Sequence, residues 1–137
     1  MYKLVKILSG RGNEAESRTI AVTALSAAID AGTPVNIAAG VVTPLTASTT
    51  VLATHIVERA AASGATSVFV TDLLPGMVFE APLTAAIGSM KAGGEYKISA
   101  SGVSATAVSS SVRGAILFDP VGASASGDKV LVTFPLA

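Results

Sequence analysis

Two stretches of this chain nearly repeat each other, and this repeat constrains the fold more than any other feature. One covers residues 31–41 (AGTPVNIAAGV) and the other covers residues 92–103 (AGGEYKISASGV). Apolar and polar residues that alternate on either side of a Gly-containing turn are typical of a β-hairpin. The repeat therefore predicts two hairpins. It also predicts that Gly32 and Gly93, at equivalent positions, adopt turn conformations that a Cβ atom disfavours.

The rest of the chain contains similar short apolar runs that are separated by turn residues. The runs with β character are residues 2–8, 67–72, 77–81, 113–118 and 129–134. Pro75 and Gly76 predict a tight turn, because Pro presets φ at the first turn position and Gly supplies positive φ at the second. Residues 84–91 are predicted to form a short helical turn. About nine short strands predict a single all-β domain over residues 1–137, a compact antiparallel sandwich or barrel with minor helix.

A polar segment interrupts this pattern near the start of the chain. Residues 9–18 contain two glycines and the densest cluster of charges, so we expect an exposed arm or loop there. Residues 19–30 are ambiguous, because Val22, Leu25 and Ile29 have helical spacing whereas the threonines favour a strand. We expect this second segment to be extended.

The composition limits the classes of partner. Charged residues make up 13% of the chain, about half the usual share, and the net charge is zero. Because charged surface normally keeps a domain apart from its neighbours, we expect much of this surface to be covered by partners. The alternative is a surface rich in Ser and Thr on exposed strands. The absence of cysteine excludes disulfides and thiolate metal sites.

Neither a membrane nor nucleic acid is an expected partner. Residues 31–54 carry no charge, yet they contain Pro34, Pro44 and several threonines, which a lipid-exposed helix would not. The first residues of the chain also lack an apolar run of the length that a signal peptide needs. Among the first eighteen residues, four basic residues stand against two acidic ones, and no aromatic residue lies among these charges to stack on bases.

The reactive side chains do not indicate an enzyme. His55 is the only histidine and no Gly-x-Ser-x-Gly motif accompanies it, so we interpret it as a strand histidine at a surface or interface. Residues 126–129 (SGDK) have Ser-x-x-Lys spacing, but Gly and Asp are typical of a turn into a strand. Glu80 could be a buried general acid, although an outward-pointing or Arg-paired carboxylate is the preferred interpretation. We predict no catalytic residue, no cofactor and no metal site.

Three segments of the chain resemble capsid decoration proteins of tailed phages, also called cement or head-fibre proteins. The segments are residues 75–83 (PGMVFEAPL), the Ala-Gly-x-x-Val sequence that begins at Ala31, and residues 127–134 (GDKVLVTF). The resemblance implies a compact β domain without catalytic activity on the exterior of the virion. Such a protein binds the outer surface of the major capsid protein lattice at capsomer junctions and stabilises the capsid.

The resemblance implies the major capsid protein as a partner, whereas the contact residues and self-association are inferred from the charges of the chain. The expected partners are the major capsid protein and further copies of this chain, with a trimer favoured. Arg11 and Arg18 are the candidate capsid contacts, because arginine binds carboxylates through two parallel hydrogen bonds. The alternative function is a carbohydrate-binding or fibre-type adhesion module. Such modules usually present aromatic platforms, whereas this chain has two Tyr, four Phe and no Trp.

Overall fold

The computed structural model describes residues 2–7, 17–109 and 112–136, which form eleven β-strands and no helix. The strands are β1 (Lys3–Ile7), β2 (Ser17–Ala21), β3 (Pro34–Ala38), β4 (Val41–Pro44), β5 (His55–Val57), β6 (Ser67–Asp72), β7 (Met77–Pro82), β8 (Glu95–Ser99), β9 (Gly102–Ala107), β10 (Ala115–Asp119) and β11 (Lys129–Thr133). They form two antiparallel sheets that pack together as a sandwich-like structure and not as a closed barrel. The predicted all-β fold class is confirmed, with a sandwich-like arrangement.

The two sheets differ in size and shape. The first sheet has the strand order β1-β7-β11-β10-β8-β9, and the second sheet has the order β2-β6-β5-β3-β4. The first sheet curls until β9 approaches the end of β7, where Leu83 and Val103 form an isolated parallel bridge. In the second sheet, β2 and β4 are the edge strands. One side of β2 is therefore not paired within the sheet.

Both copies of the sequence repeat form antiparallel hairpins, β3 with β4 and β8 with β9. The glycine before each hairpin has a positive φ, 83° at Gly32 and 90° at Gly93. Gly32 donates its amide hydrogen to the carbonyl of Val57 in β5, which neighbours β3. Gly93 donates in the same way to the carbonyl of Leu117 in β10, which neighbours β8. The two copies are thus equivalent in backbone hydrogen bonding as well as in sequence.

The turn predicted at Pro75 and Gly76 is present, whereas the helical turn predicted for residues 84–91 is not. Pro75 and Gly76 lie in the tight turn between β6 and β7, and Gly76 has a φ of 86°. Residues 84–91 form an irregular loop, so the prediction of a helical turn there is wrong. The amide of Ile87 in this loop donates to the carbonyl of Ser124 at 3.0 Å. The loop backbone is therefore bound to another loop, and its internal bond from the amide of Met90 to the carbonyl of Ile87 closes a single turn and not a helix.

The segment that leads to β3 agrees with its predicted conformation only in part, because residues 19–21 are extended in β2 as expected. Ser17 and Arg18 belong to β2 instead of an arm, because the pairing of β2 with β6 begins at Ser17. The remainder of the predicted arm, residues 9–16, lies outside the described residues. After β2 the chain follows an irregular path, and Leu25 and Ile29 from this part are buried. Their apolar side chains cover one face of the second sheet.

Two apolar cores hold the structure together. The first core lies against the first sheet and includes the fully buried Phe79 and Leu117. Ile56 of β5 contributes to this core, whereas the next residue, Val57, contributes to the second core together with its cross-strand neighbour Val70. Because side chains alternate along a strand, the second sheet is apolar on both faces in its centre.

Candidate functional site

Of the two arginines predicted to contact a capsid, the structure describes one. Arg18 lies in the edge strand β2, and its side chain is 59% exposed. Its Nε and Nη2 groups donate to Oδ1 and Oδ2 of Asp72 in β6, both at 3.1 Å. An external carboxylate that binds Arg18 through Nε and Nη2 would have to displace Asp72, whereas the N–H donors of Nη1 and the second hydrogen of Nη2 are not used by Asp72. Arg11 lies outside the described residues.

Asp72 also binds His55, so one polar network joins three strands. His55 in β5 lies directly opposite Asp72, with its Nε2 atom 3.2 Å from Oδ1. The other ring nitrogen, Nδ1, is 2.7 Å from the hydroxyl of Thr54. The His55 side chain is only 12% exposed. This burial lowers the pKa of His55 below its ordinary value of 6.5, although the charge of Asp72 acts in the opposite direction.

Thr54, His55 and Asp72 follow one another in the order of a catalytic triad, namely hydroxyl, imidazole and carboxylate. The hydroxyl oxygen of Thr54, however, also accepts the amide hydrogen of Ile37 at 2.9 Å. This bond ties the hydroxyl to the backbone of β3, inside the sheet. We therefore interpret the three residues as a network that fixes the relative positions of β5, β6 and β3.

A second polar network lies on the opposite face of β2 and β6. The hydroxyl of Thr71 donates to Oε1 of Glu58 at 2.6 Å. The hydroxyl of Ser17 is 2.8 Å from that of Thr71 and must be the donor of this bond, because Thr71 has already donated its only hydroxyl hydrogen. The start of β2 is thus bound to β6 on both faces of the sheet.

A groove of about 350 Å³ lies beside β2 on this surface. It is lined by Thr19, Arg59, Ala60, Ala61, Ala62, Ala65, Ser67, Val68 and Phe69. The guanidinium carbon of Arg59 lies 4.1 Å from the centre of the Phe69 ring, which is the geometry of a cation–π contact. The backbone explains this approach, because the amide of Glu58 donates to the carbonyl of Phe69 and so brings Arg59 beside the ring.

Arg59 differs from the two other arginines that the structure describes. Arg18 binds Asp72, and Arg113 binds both oxygens of Glu95 through Nε and Nη2, at 3.0 and 3.2 Å. Within the described ranges, Arg59 has no carboxylate within 4.0 Å. It is therefore a positive charge beside an open groove without an ion-pair partner in that part of the chain.

The other candidate side chains have structural positions. Glu80 lies in β7, is half-buried, and is opposite Lys3 of β1 in the strand register. In residues 126–129, Oδ2 of Asp128 accepts the amide hydrogens of Ala125 and Ser124 at 3.0 and 2.9 Å, and these bonds lower the pKa of Asp128. Asp128 therefore closes the turn that leads into β11, consistent with the interpretation of these residues as a turn.

Large apolar side chains are exposed at several places. In the described part of the chain they are Val5, Val41, Val51, Leu74, Phe118, Val121 and Leu136. The same part contains no group of three or more His, Cys, Asp or Glu residues that could hold a metal ion. Nor do the residues that the structure describes form a helix of the length and hydropathy needed to cross a membrane.

Sequence reasoning did not find Asp72, Arg59 or Phe69. Arg18 and Asp72 are separated by 54 positions, and Arg59 and Phe69 meet only through the pairing of β5 with β6. No local motif marks these contacts. A comparison with known protein families and with curated proteins finds no match for this chain.

Proposed function

We propose that the protein is a structural component of a tailed-phage virion. It binds the outer surface of the major capsid protein lattice, stabilises the capsid and has no catalytic role. The resemblance found in the sequence supports this proposal, and two of its three segments are adjacent in the fold. Residues 75–83 contain β7 and residues 127–134 contain β11, and these strands pair side by side in the first sheet. The third segment, which begins at Ala31, leads into β3 of the second sheet.

The observation that carries the proposal is that several carboxylates bind groups of the same chain, whereas large apolar side chains are exposed. Asp72, Glu95 and Asp128 each accept at least two hydrogen bonds from groups of the same chain. They hold strands and turns together. The exposed surface is poor in charge and includes large apolar side chains. Such a surface offers contact area, and the cores of protein interfaces are likewise depleted of charge.

Self-association belongs to the same proposal. A chain with zero net charge and 13% charged residues has little electrostatic repulsion to keep copies apart. Symmetric closed oligomers are the usual result of self-association, and we favour a trimer placed on the capsid lattice. Several copies that are held together would bind the lattice with avidity, even where each contact is weak.

The direct test is sedimentation of the purified protein with capsids that lack it. We expect the protein to sediment with these capsids over a range of salt concentrations, and to remain in the supernatant without them. Capsids at different maturation stages are included, because the lattice surface changes with maturation. Absence of the protein from every capsid pellet would contradict the proposal.

The alternative of a carbohydrate-binding or adhesion module has less support. Phe69 is the aromatic residue that lines the groove, and the guanidinium of Arg59 already stacks on its ring. A sugar that used this ring as a platform would have to displace Arg59. Saturable binding of a defined glycan to the purified protein, together with failure to bind capsids, would favour the alternative.

A further inference from the structure

We propose that the groove beside β2 is a docking site for an acidic side chain, Asp or Glu, of a protein partner, and that Arg59 binds its carboxylate. The inference rests on the proposed function for the identity of this partner, the capsid lattice. The docking site itself rests on the geometry of Arg59, the lining of the groove and its charge.

The position of Arg59 beside the Phe69 ring favours the binding of a carboxylate. A guanidinium that stacks on an aromatic ring uses its flat face, and its N–H donors lie in the plane of the group and remain able to form hydrogen bonds. The guanidinium carbon of Arg59 lies 4.1 Å over the centre of the Phe69 ring, and no hydrogen bond among the described residues uses the N–H donors of its side chain. The adjacent carboxylate of Glu58 accepts the hydroxyl of Thr71, so it is already bound elsewhere.

The residues that line the groove also favour an acidic side chain. The hydroxyls of Thr19 and Ser67 provide further donors near Arg59, and four alanines provide a shallow apolar wall. Such a wall suits the aliphatic part of an acidic side chain. A volume of about 350 Å³ is at the small end of ligand sites, which fits the tip of a protein loop better than a large ligand.

The charge of the groove favours a single carboxylate. Arg59 is the one charged residue among the nine that line the groove, so the site offers a single positive charge. A single carboxylate matches this charge, whereas phosphate groups along a nucleic acid are bound by several cations. Arginine and aromatic residues are also enriched at the centres of protein interfaces.

The site is tested with isotope-labelled full-length protein and two blocked tripeptides, Ala-Glu-Ala and Ala-Gln-Ala. We expect the Glu peptide to shift the Nε–H resonance of Arg59 and the amide resonances of Thr19 and Ser67 in a saturable manner. The Gln peptide should shift them at least about tenfold less at the same concentration, because it lacks the charge-assisted bond. Equal shifts from the two peptides would overturn the proposal.

Variants separate the role of Arg59 from a general charge effect. Arg59→Gln removes the guanidinium, and Lys91→Gln removes one exposed positive charge outside the groove. We expect Arg59→Gln to abolish the response to the Glu peptide and Lys91→Gln to retain it. A response that persists in Arg59→Gln would overturn the proposal. Saturation by inorganic phosphate without any response to the Glu peptide would also overturn it, because the groove would then be an anion site.

Capsid sedimentation of the same variants distinguishes the docking site from the proposed function. Loss of capsid binding in Arg59→Gln, with binding retained in Lys91→Gln, supports the capsid lattice as the partner. If the unmodified protein binds the Glu peptide but no capsids, the proposed function fails and the docking site stands. If the unmodified protein and Arg59→Gln bind capsids equally well, the lattice does not use the groove and the identity of the partner is wrong.

Discussion

At the scale of single residues, we expect His55 to make stability depend on pH. Burial lowers its pKa in the folded protein below the value of 6.5 that it has in the unfolded chain. The unfolded chain therefore binds more protons between these two values, and the free energy of unfolding rises with pH in that window. The stabilisation is fully present above about pH 6.5 and is lost as the pH falls towards the lower pKa of the folded protein.

We expect the free energy of unfolding in urea to decrease between about pH 7.5 and pH 5.5. His55→Gln should show a smaller decrease, since it keeps a hydrogen-bonding side chain opposite Asp72 but does not titrate. The carboxylates are common to both proteins and cancel in this comparison. The same pH dependence in both proteins would show that His55 is not the group responsible.

The two arginine–carboxylate pairs should differ in strength. Arg113 and Glu95 have side chains that are 37% and 19% exposed, whereas the corresponding values for Arg18 and Asp72 are 59% and 38%. Glu95 also accepts the amide hydrogen of Gly114 at 2.8 Å. Because solvent screens exposed pairs, a double-mutant cycle should give a larger coupling energy for Arg113–Glu95 than for Arg18–Asp72. A larger coupling energy for Arg18–Asp72 would show that the polar network around Asp72 strengthens this pair more than solvent screening weakens it.

At the scale of secondary-structure elements, the two hairpins test whether both copies of the repeat depend on a glycine with positive φ. A Cβ atom at Gly93 would meet no other atom within 4 Å, so any cost of substitution there comes from the φ of 90°. We expect Gly32→Ala and Gly93→Ala each to lower the free energy of unfolding by about 1 kcal/mol or more. Gly93→Asn should cost less than Gly93→Ala, because Asn tolerates positive φ better. Melting temperatures equal to that of the parent would make the repeat a coincidence of composition.

The hairpins also show which parts of the fold were predictable. Their strands and turns depend on residues a few positions apart, which is why the alternation in residues 95–100 and the Pro75-Gly76 pair correctly predicted β8, which ends at Ser99, and a turn. Residues 84–91 have no such local determinant, since their backbone is bound by the loop around Ser124. The docking groove was equally inaccessible to sequence reasoning, because it depends on how β2, β5 and β6 are aligned.

At the scale of the whole molecule, Val121 is the residue at which we expect stability and association to be linked. It occupies the turn between β10 and β11 with a φ of 52°, and the next residue, Gly122, has a φ of 75°. Two successive positive φ values are typical of a type I′ turn, which favours Asn-Gly and disfavours a β-branched residue. Val121 is nevertheless 60% exposed and packs little within its own chain. A residue that is unfavourable for the turn and apolar on the surface is expected where a partner contacts the side chain.

We therefore expect Val121→Asn to raise the free energy of unfolding of the isolated protein by about 0.5–1 kcal/mol, because it relieves the backbone. The same change should weaken both self-association, measured by analytical ultracentrifugation, and sedimentation with capsids. Val41→Asn is the matched control, since Val41 is also exposed, at 52%, but lies in β4 without a positive φ. It should give no stabilisation. If Val121→Asn stabilises the protein and leaves association and capsid binding unchanged, the side chain is not a contact and the binding surface lies elsewhere on the sandwich.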